Sequence, residues 1–377
     1  MEAIYNDPIP LMRPTLPDID AVVATLRESY ETGRITSARV VELFEEEARR
    51  FTGTQYAVAV SSCTAGLMMA LSALRLARGA EVVVPSFTFA ATVEAVVWNG
   101  LTPVYVDCLP DTLVMDPAEV VKALGPHTGA ICPVNVFGLP PDMDPLMAIS
   151  DRFGIPLIMD SAQGLGASYK GKPAGGFGLC EVFSLSPSKV ITAVEGGLAT
   201  TNDETLARNL KYMRDYGKGP DKEEMIFNGL SARMSELHAS VGLLNLREAQ
   251  SLVDARLRLI QRYTDRISRL KGCRMQEFPA DRTSSGNYFS VLIRESAAAD
   301  RDEVMRALTL RNIECKRYFY PPVHVQRAFR DHPHRVVGEL PNTWAASRAS
   351  LALPLFAHMT DEQQDRICDT LESVLAR

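Results

Sequence analysis

Phe183-Ser184-Leu185-Ser186-Pro187-Ser188-Lys189-Val190-Ile191-Thr192-Ala193-Val194-Glu195-Gly196-Gly197 is the stretch around which the chain is organised. A short apolar run ends in hydroxyls, a proline and one lysine. A second apolar run follows, then an acid and two glycines. Lys189 therefore falls at the end of a strand, where α/β folds place their chemistry. Partial burial of a lysine favours its neutral, nucleophilic form, which attacks carbonyl carbons. By itself the stretch also fits a strand-to-strand loop with a surface lysine.

The flanking sequence alternates strand and helix. Tyr56–Val60 reads as a strand that runs into Ser61-Ser62-Cys63-Thr64 and a helix from Ala65. Free N–H groups at such a helix start, with its dipole, make an anion site, although Ser62 or Thr64 would serve equally as an ordinary cap. Glu81–Val84 is a strand closed by Pro85-Ser86-Phe87-Thr88-Phe89, and helix 90–98 follows. Further strands are expected at 103–107, 130–134 and 155–160, with helices near 117–124 and 144–153 between them. The strands are continuous β-rich runs, as in a parallel sheet covered on both faces. The order predicts a doubly wound α/β domain. Upstream, residues 17–50 read as two helical pieces broken at Thr32-Gly33. Downstream, helix 204–215 precedes a long helical region from about 229 to 270. A large domain is expected over 1–250 and a smaller C-terminal α/β domain over 251–377, with the N-terminal segment able to pack on the small one. The small domain should hold a strand at 288–293, a helix at 301–311 and a final helix capped by Thr360 with Gln363.

Composition narrows the function. The formal charge of −6 argues against a nucleic-acid binder. Seven cysteines without a C-x-x-C pair suit reduced thiols and a cytoplasmic location, not a disulfide frame or zinc site. Met1–Arg13 lacks an apolar signal-peptide core, and no apolar run reaches membrane-spanning length. The six histidines show no convincing metal spacing. The glycine-rich run 164–178 matches neither a P-loop nor a dinucleotide fingerprint, which disfavours an NAD-linked oxidoreductase; tight turns are expected there.

Four features converge: an anion site at 62–65, the strand-end carboxylate Asp160, the aromatic Phe89 after another strand end, and Lys189. Together they fit pyridoxal phosphate (PLP), with phosphate, ring nitrogen, ring face and aldehyde each finding a partner.

The chain resembles the DegT–DnrJ–StrS sugar aminotransferases, fold-type I PLP enzymes, over nearly its whole length. The resemblance rests on Pro10–Pro14, Ser62-Cys63-Thr64-Ala65, Pro85–Thr92, Asp160-Ser161-Ala162-Gln163, Ser184–Lys189 with Glu195-Gly196-Gly197, Arg233-Met234-Ser235-Glu236, Tyr318–His324 and Leu353-Pro354-Leu355. It implies that Lys189 holds the cofactor aldehyde as an imine and then moves protons. It also implies that Asp160 pairs with the ring nitrogen, Gln163 bonds the ring hydroxyl oxygen and Phe89 stacks on the ring. Ser184 and the N–H groups of Thr64 and Ala65 would bind phosphate. Family members are homodimers with shared sites, so segment 229–236, Ser231 included, should reach the partner's cofactor. Tyr318, Tyr320 and His324 lie in the segment that resembles the substrate wall, although His324 also suits a structural hydrogen bond.

Three positions depart from the common pattern. Cys63 stands where Gly is usual, Ser231 where Asn is usual, and Ser186 where others carry His or Asn. Relatives that dehydrate the sugar have His in place of the lysine, and here Lys189 is present. The implied reaction transfers an amino group from L-glutamate or glutamine to a nucleotide-linked keto-sugar, a 4-keto-6-deoxy sugar by resemblance. A 3-keto sugar or keto-cyclitol acceptor is the alternative, as is a PLP-binding regulatory homologue without turnover.

Overall fold

The computed structural model describes residues 7–375, so the first six residues of the Met1–Arg13 segment lie outside it. Helices α1 (Ile19–Thr32) and α2 (Arg39–Thr52) are separated where the sequence suggests, with Gly33 left-handed at φ 69°. Ala38 gives α2 no side-chain cap. Instead the buried carboxylate of Glu236 accepts the amides of Ala38, Val40 and Val41 at 2.8, 2.7 and 3.2 Å. An acid at a helix start satisfies orphan donors and complements the dipole.

Alternation then proceeds as β1 (Tyr56–Val60), α3 (Cys63–Ala73), β2 (Glu81–Pro85), α4 (Ala90–Trp98), β3 (Thr102–Val106), α5 (Pro117–Ala123), β4 (Thr128–Ile131), α6 (Met143–Phe153) and β5 (Ile158–Asp160). It continues with β6 (Cys180–Ser184), β7 (Gly197–Thr201) and α7 (Glu204–Met213). β3, β2 and β4 are parallel neighbours, as are β5 and β6. Parallel bridges Ile131–Leu157 and Val134–Asp160 join the two groups into one sheet. The order is thus β1-β7-β6-β5-β4-β2-β3, with Arg335–Val336 added beside β3. β7 alone runs antiparallel to its neighbours β1 and β6. The cause is local: the Lys189 loop returns from β6 to β7 with no crossover helix, and only antiparallel strands can be joined that way. Helices cover both faces, and the strands are almost wholly buried. The 164–178 run holds a small hairpin, Ser168–Tyr169 with Lys172–Pro173, closed by Lys170 and Gly171 at φ 48° and 75°.

Beyond this sheet the expected long helical region is two helices, α8 (Glu236–Arg247) and α9 (Ala249–Ile267), interrupted at Glu248. A second sheet, β8 (Cys273–Met275), β9 (Phe289–Ile293) and β10 (Ser350–Leu353), is antiparallel in the order β8-β9-β10. Its core includes Tyr263 stacked on Phe289 at 4.7 Å, and Ile9, which bridges to Ile313. Thr360 and Gln363 form the expected reciprocal cap of helix Asp361–Leu375. The seven cysteines are unpaired, six of them buried. No helix among the described residues is long and apolar enough to cross a membrane.

The ends of β2, β5 and β6 and the starts of α3, α4 and β7 all meet at one edge of the large sheet. This is where strand direction delivers Phe89, Asp160, Ser184 and Lys189.

Candidate active site

Lys189 ends a tight turn, its amide donating to Ser186 O at 3.0 Å. A ladder of hydroxyls lines the turn: Ser184 to Ser186 and Ser186 to Ser188, each at 3.3 Å. The loop is pinned by Leu185 N–H to Gly196 O at 3.0 Å, Ala193 N–H to Leu185 O at 2.9 Å, and Asn245 Nδ2 to Thr192 O at 2.8 Å. Lys189 Nζ lies 5.9 Å from the centre of the Tyr288 ring, whose hydroxyl is 3.5 Å from that of Tyr318.

Asp160 is 3% exposed. One carboxylate oxygen accepts Thr92 Oγ1 at 2.6 Å and the other accepts Ala162 N–H at 3.1 Å. Thr92 is itself held by Thr88 at 2.8 Å. Burial pushes the Asp160 carboxyl above its usual range, against the pull of Thr92, the Ala162 amide and the Lys189 charge. A carboxylate with only neutral hydrogen-bond donors in contact is under-compensated, and a cation placed against it would lower its cost. The sequence did not signal Thr88 and Thr92 as its supports. Their i,i+4 spacing at the α4 start was the only clue.

Gln163 Oε1 accepts Phe137 N–H at 2.7 Å, which turns the amide nitrogen of the same side chain toward other acceptors. Phe89 is the N-cap residue of α4 and is 55% exposed. At the start of α3, Ser62 Oγ accepts the Ala65 amide at 3.1 Å. Of the two amides expected at the anion site, Ala65 is therefore already engaged as a cap bond, whereas the Thr64 amide has no partner among the described residues. A Cβ on Gly197 would stand 2.4 Å from the Ser62 carbonyl carbon and 2.6 Å from Cys63 N. Glycine there lets the start of β7 touch the start of α3, a contact no side chain would permit.

The remaining expected residues fall into two groups. Tyr318 and Tyr320 line a pocket of about 130 Å³ together with Phe89. His324 is not in that lining: its Nδ1 is 2.6 Å from Ser86 Oγ, and its ring lies 5.4 Å from Trp344. It braces the loop that carries Phe89. Ser231 is exposed and bridges to Asp215.

A sequence profile of the DegT/DnrJ/EryC1/StrS aminotransferase family matches residues 18–372. The chain belongs to this family. Solved structures agree with that membership. DesI, crystallised in the presence of its TDP-sugar product, is 32% identical, with 100% of this chain and 95% of DesI aligned at a TM-score of 0.93. DesV of S. venezuelae, in complex with a ketimine intermediate, is 30% identical over 99% of this chain and 100% of DesV, at 0.89. A DegT/DnrJ/EryC1/StrS aminotransferase from Brucella abortus is 28% identical over 95% and 96%, at 0.88. This family member is a PLP-dependent transaminase of fold type I, one of the sugar aminotransferases. Its residues fit the cofactor. The under-compensated Asp160 suits a cationic ring nitrogen, the free Thr64 amide and the serine ladder suit a phosphate, and Lys189 is the amine at the same edge.

Proposed function

We propose that this aminotransferase moves an amino group from L-glutamate (or glutamine) to a nucleotide-linked keto-sugar, a 4-keto-6-deoxy sugar, for amino-sugar biosynthesis. The observation that carries the acceptor class is the full-length similarity to DesI, a protein crystallised with its TDP-sugar product. The carbonyl position rests on the resemblance of the motif set.

PLP, when bound, supplies a carbonyl and an electron sink through which an amine can pass from donor to acceptor. Lys189 would be the catalytic residue: it would anchor the cofactor, and its Nζ would carry protons between reacting carbons. Asp160 would hold the ring nitrogen, Gln163 would donate to the ring hydroxyl oxygen, and Phe89 would cover one ring face. Ser184 and the Thr64 amide would take the phosphate. The Ala65 amide would join them only by exchanging its bond to Ser62. Tyr318 and Tyr320 would shape the acceptor side, and His324 braces the Phe89 loop through Ser86.

The working unit in this proposal is a homodimer, with Ser231 of one protomer serving the other's site. Exposed apolar side chains support it: Val194 on the Lys189 loop and, elsewhere on the surface, Leu237, Ile35 and Tyr216. The division between cofactor domain and small domain near residue 250 belongs to the same proposal, and the interruption at Glu248 supports it.

The test is turnover of the PLP-loaded protein with L-glutamate and a panel of acceptors, read by mass spectrometry. An aminated 4-keto-6-deoxy nucleotide sugar and a 2-oxo acid are expected. Product only from a 3-keto sugar or a keto-cyclitol would refute the acceptor.

A further inference from the structure

Phe89 opens onto a pocket whose other walls include Lys316, Arg317, Tyr318, Tyr320 and Gln326. A chain of aromatic rings connects this pocket with the Lys189 loop. Lys189 Nζ is 5.9 Å from the Tyr288 ring centre, and the Tyr288 and Tyr318 rings are 5.1 Å apart. Their hydroxyls are 3.5 Å apart, and Lys316 Nζ stands 4.8 Å over Tyr318. The backbone beneath the two cations is fixed. Lys316 exchanges hydrogen bonds with Ala352 of β10 at 3.1 and 2.8 Å, and Phe319 is buried between Phe87 and Phe137.

The charge balance here is one-sided. Lys316 is in no ion pair among the described residues. Arg317 has one, to Asp302 at 3.5 Å, and both of its ends are largely exposed. Such a pair contributes little and gives way readily to a better partner. No carboxylate lines the pocket. In a chain of net charge −6, two cations that both line one acid-free, aromatic-walled pocket form a local field of opposite sign, which attracts anions.

We propose that Lys316 and Arg317 hold the diphosphate of the nucleotide sugar, a subsite that rests on the acceptor class given above. Two cations lining one pocket can each meet one of two linked phosphates, and arginine adds a fork that phosphate oxygens accept bidentately. The side-chain carboxylate of glutamate has the same chemistry with one anionic centre in place of two. The open side of Phe89 also leaves room for the nucleoside to trail into solvent, while the sugar points inward along Tyr318 toward Lys189.

The test uses the PLP-loaded protein and the variants Lys316→Gln, Lys316→Arg and Arg317→Gln, with thymidine diphosphate as calorimetric probe. Each Gln variant should weaken diphosphate binding roughly tenfold, the loss of one charge-assisted contact. Lys316→Arg should restore it. The KM for the nucleotide sugar should rise by a similar factor with kcat nearly unchanged. The spectral change caused by L-glutamate alone should keep its wild-type rate. Unchanged diphosphate affinity and KM would overturn the subsite, as would wild-type protein that binds no diphosphate. A slowed glutamate step with an unchanged acceptor KM would overturn it too, and would assign the pair to the donor carboxylate. A wild-type protein that turns over keto-cyclitols but no nucleotide sugar would defeat the acceptor class itself, which is a separate result.

Discussion

The two sides of the Lys189 site are built differently. The inner side is finished by one chain. Asp160 is buried and held by Thr92, Gln163 is fixed by Phe137, and the Lys189 loop is laced to Gly196 and α8. The outer side is bare: Phe89 and, on the Lys189 loop, Val194 are 55 and 41% exposed, and elsewhere on the surface Tyr216, Leu237 and Ser231 are exposed as well. Groups that must keep their orientation through a reaction cycle lie where packing fixes them. Groups left open are those that a substrate or a second copy of the chain would cover.

This contrast predicts graded consequences. Inner-side changes should remove chemistry, beginning with Lys189→Ala. Loss of the proton carrier costs about two to four orders of magnitude in kcat, before loss of the covalent anchor is counted. Steady-state turnover checks it, and near-wild-type turnover would break the inner-side account. Asp160→Asn comes next. Removing one member of a buried charge pair costs about 2–5 kcal/mol, to be read as weaker PLP binding and a lower kcat. There is a pH signature as well. Because burial raises the Asp160 carboxyl, the cofactor-free site takes up a proton above the ordinary carboxylate range. Affinity for a cationic ring should therefore fall as pH drops through that raised value, and Asp160→Asn should abolish the dependence.

The outer side should respond to association instead. Leu237→Asp, at an exposed position, should leave the fold intact while shifting sedimentation toward monomer and making activity depend on protein concentration. An unaltered oligomer with full activity would separate α8 from the proposed dimer. Gly197→Ala sharpens the comparison at the boundary between β7 and α3. The added methyl meets backbone atoms, so about 1–3 kcal/mol of stability should be lost, with PLP affinity falling beside it. The smallest effect belongs to His324. Burial, then His334, lowers its pKa below the usual imidazole value. The unfolded chain thus binds the proton more readily, and stability is lost as pH falls through the mid-acid range. His324→Gln should flatten that slope in thermal melts by less than about 1 kcal/mol.

Much of this was legible in the sequence because it is local. The bounds of β1 and α4 follow from apolar runs and their punctuation, and the Thr360–Gln363 cap follows from spacing. Strand-end placement of Asp160 follows from the alternation, whereas Lys189 lies in the loop beyond β6, which ends at Ser184. What escaped depends on partners distant in sequence. Thr92 reaches Asp160 across 68 positions, and Glu236 caps α2 across nearly 200. The interruption at Glu248 carries no glycine or proline to announce it. β7 is a mixed case: no helix separates Ser184 from Gly197, which requires a reversal, yet all five of its residues are buried like those of the parallel strands. The Ala65 amide shows that a helix start can be identified from sequence while the allocation of its donors cannot, since Ser62 claims one of them.

The most direct test of the central claim is the visible absorption spectrum of the purified protein, incubated with PLP, before and after L-glutamate is added. The account predicts a visible band that depends on Lys189, absent in Lys189→Ala, and its replacement by a shorter-wavelength band as glutamate delivers its amine. No visible band after incubation with PLP would contradict the assigned cofactor site, and a band indifferent to glutamate would contradict the donor.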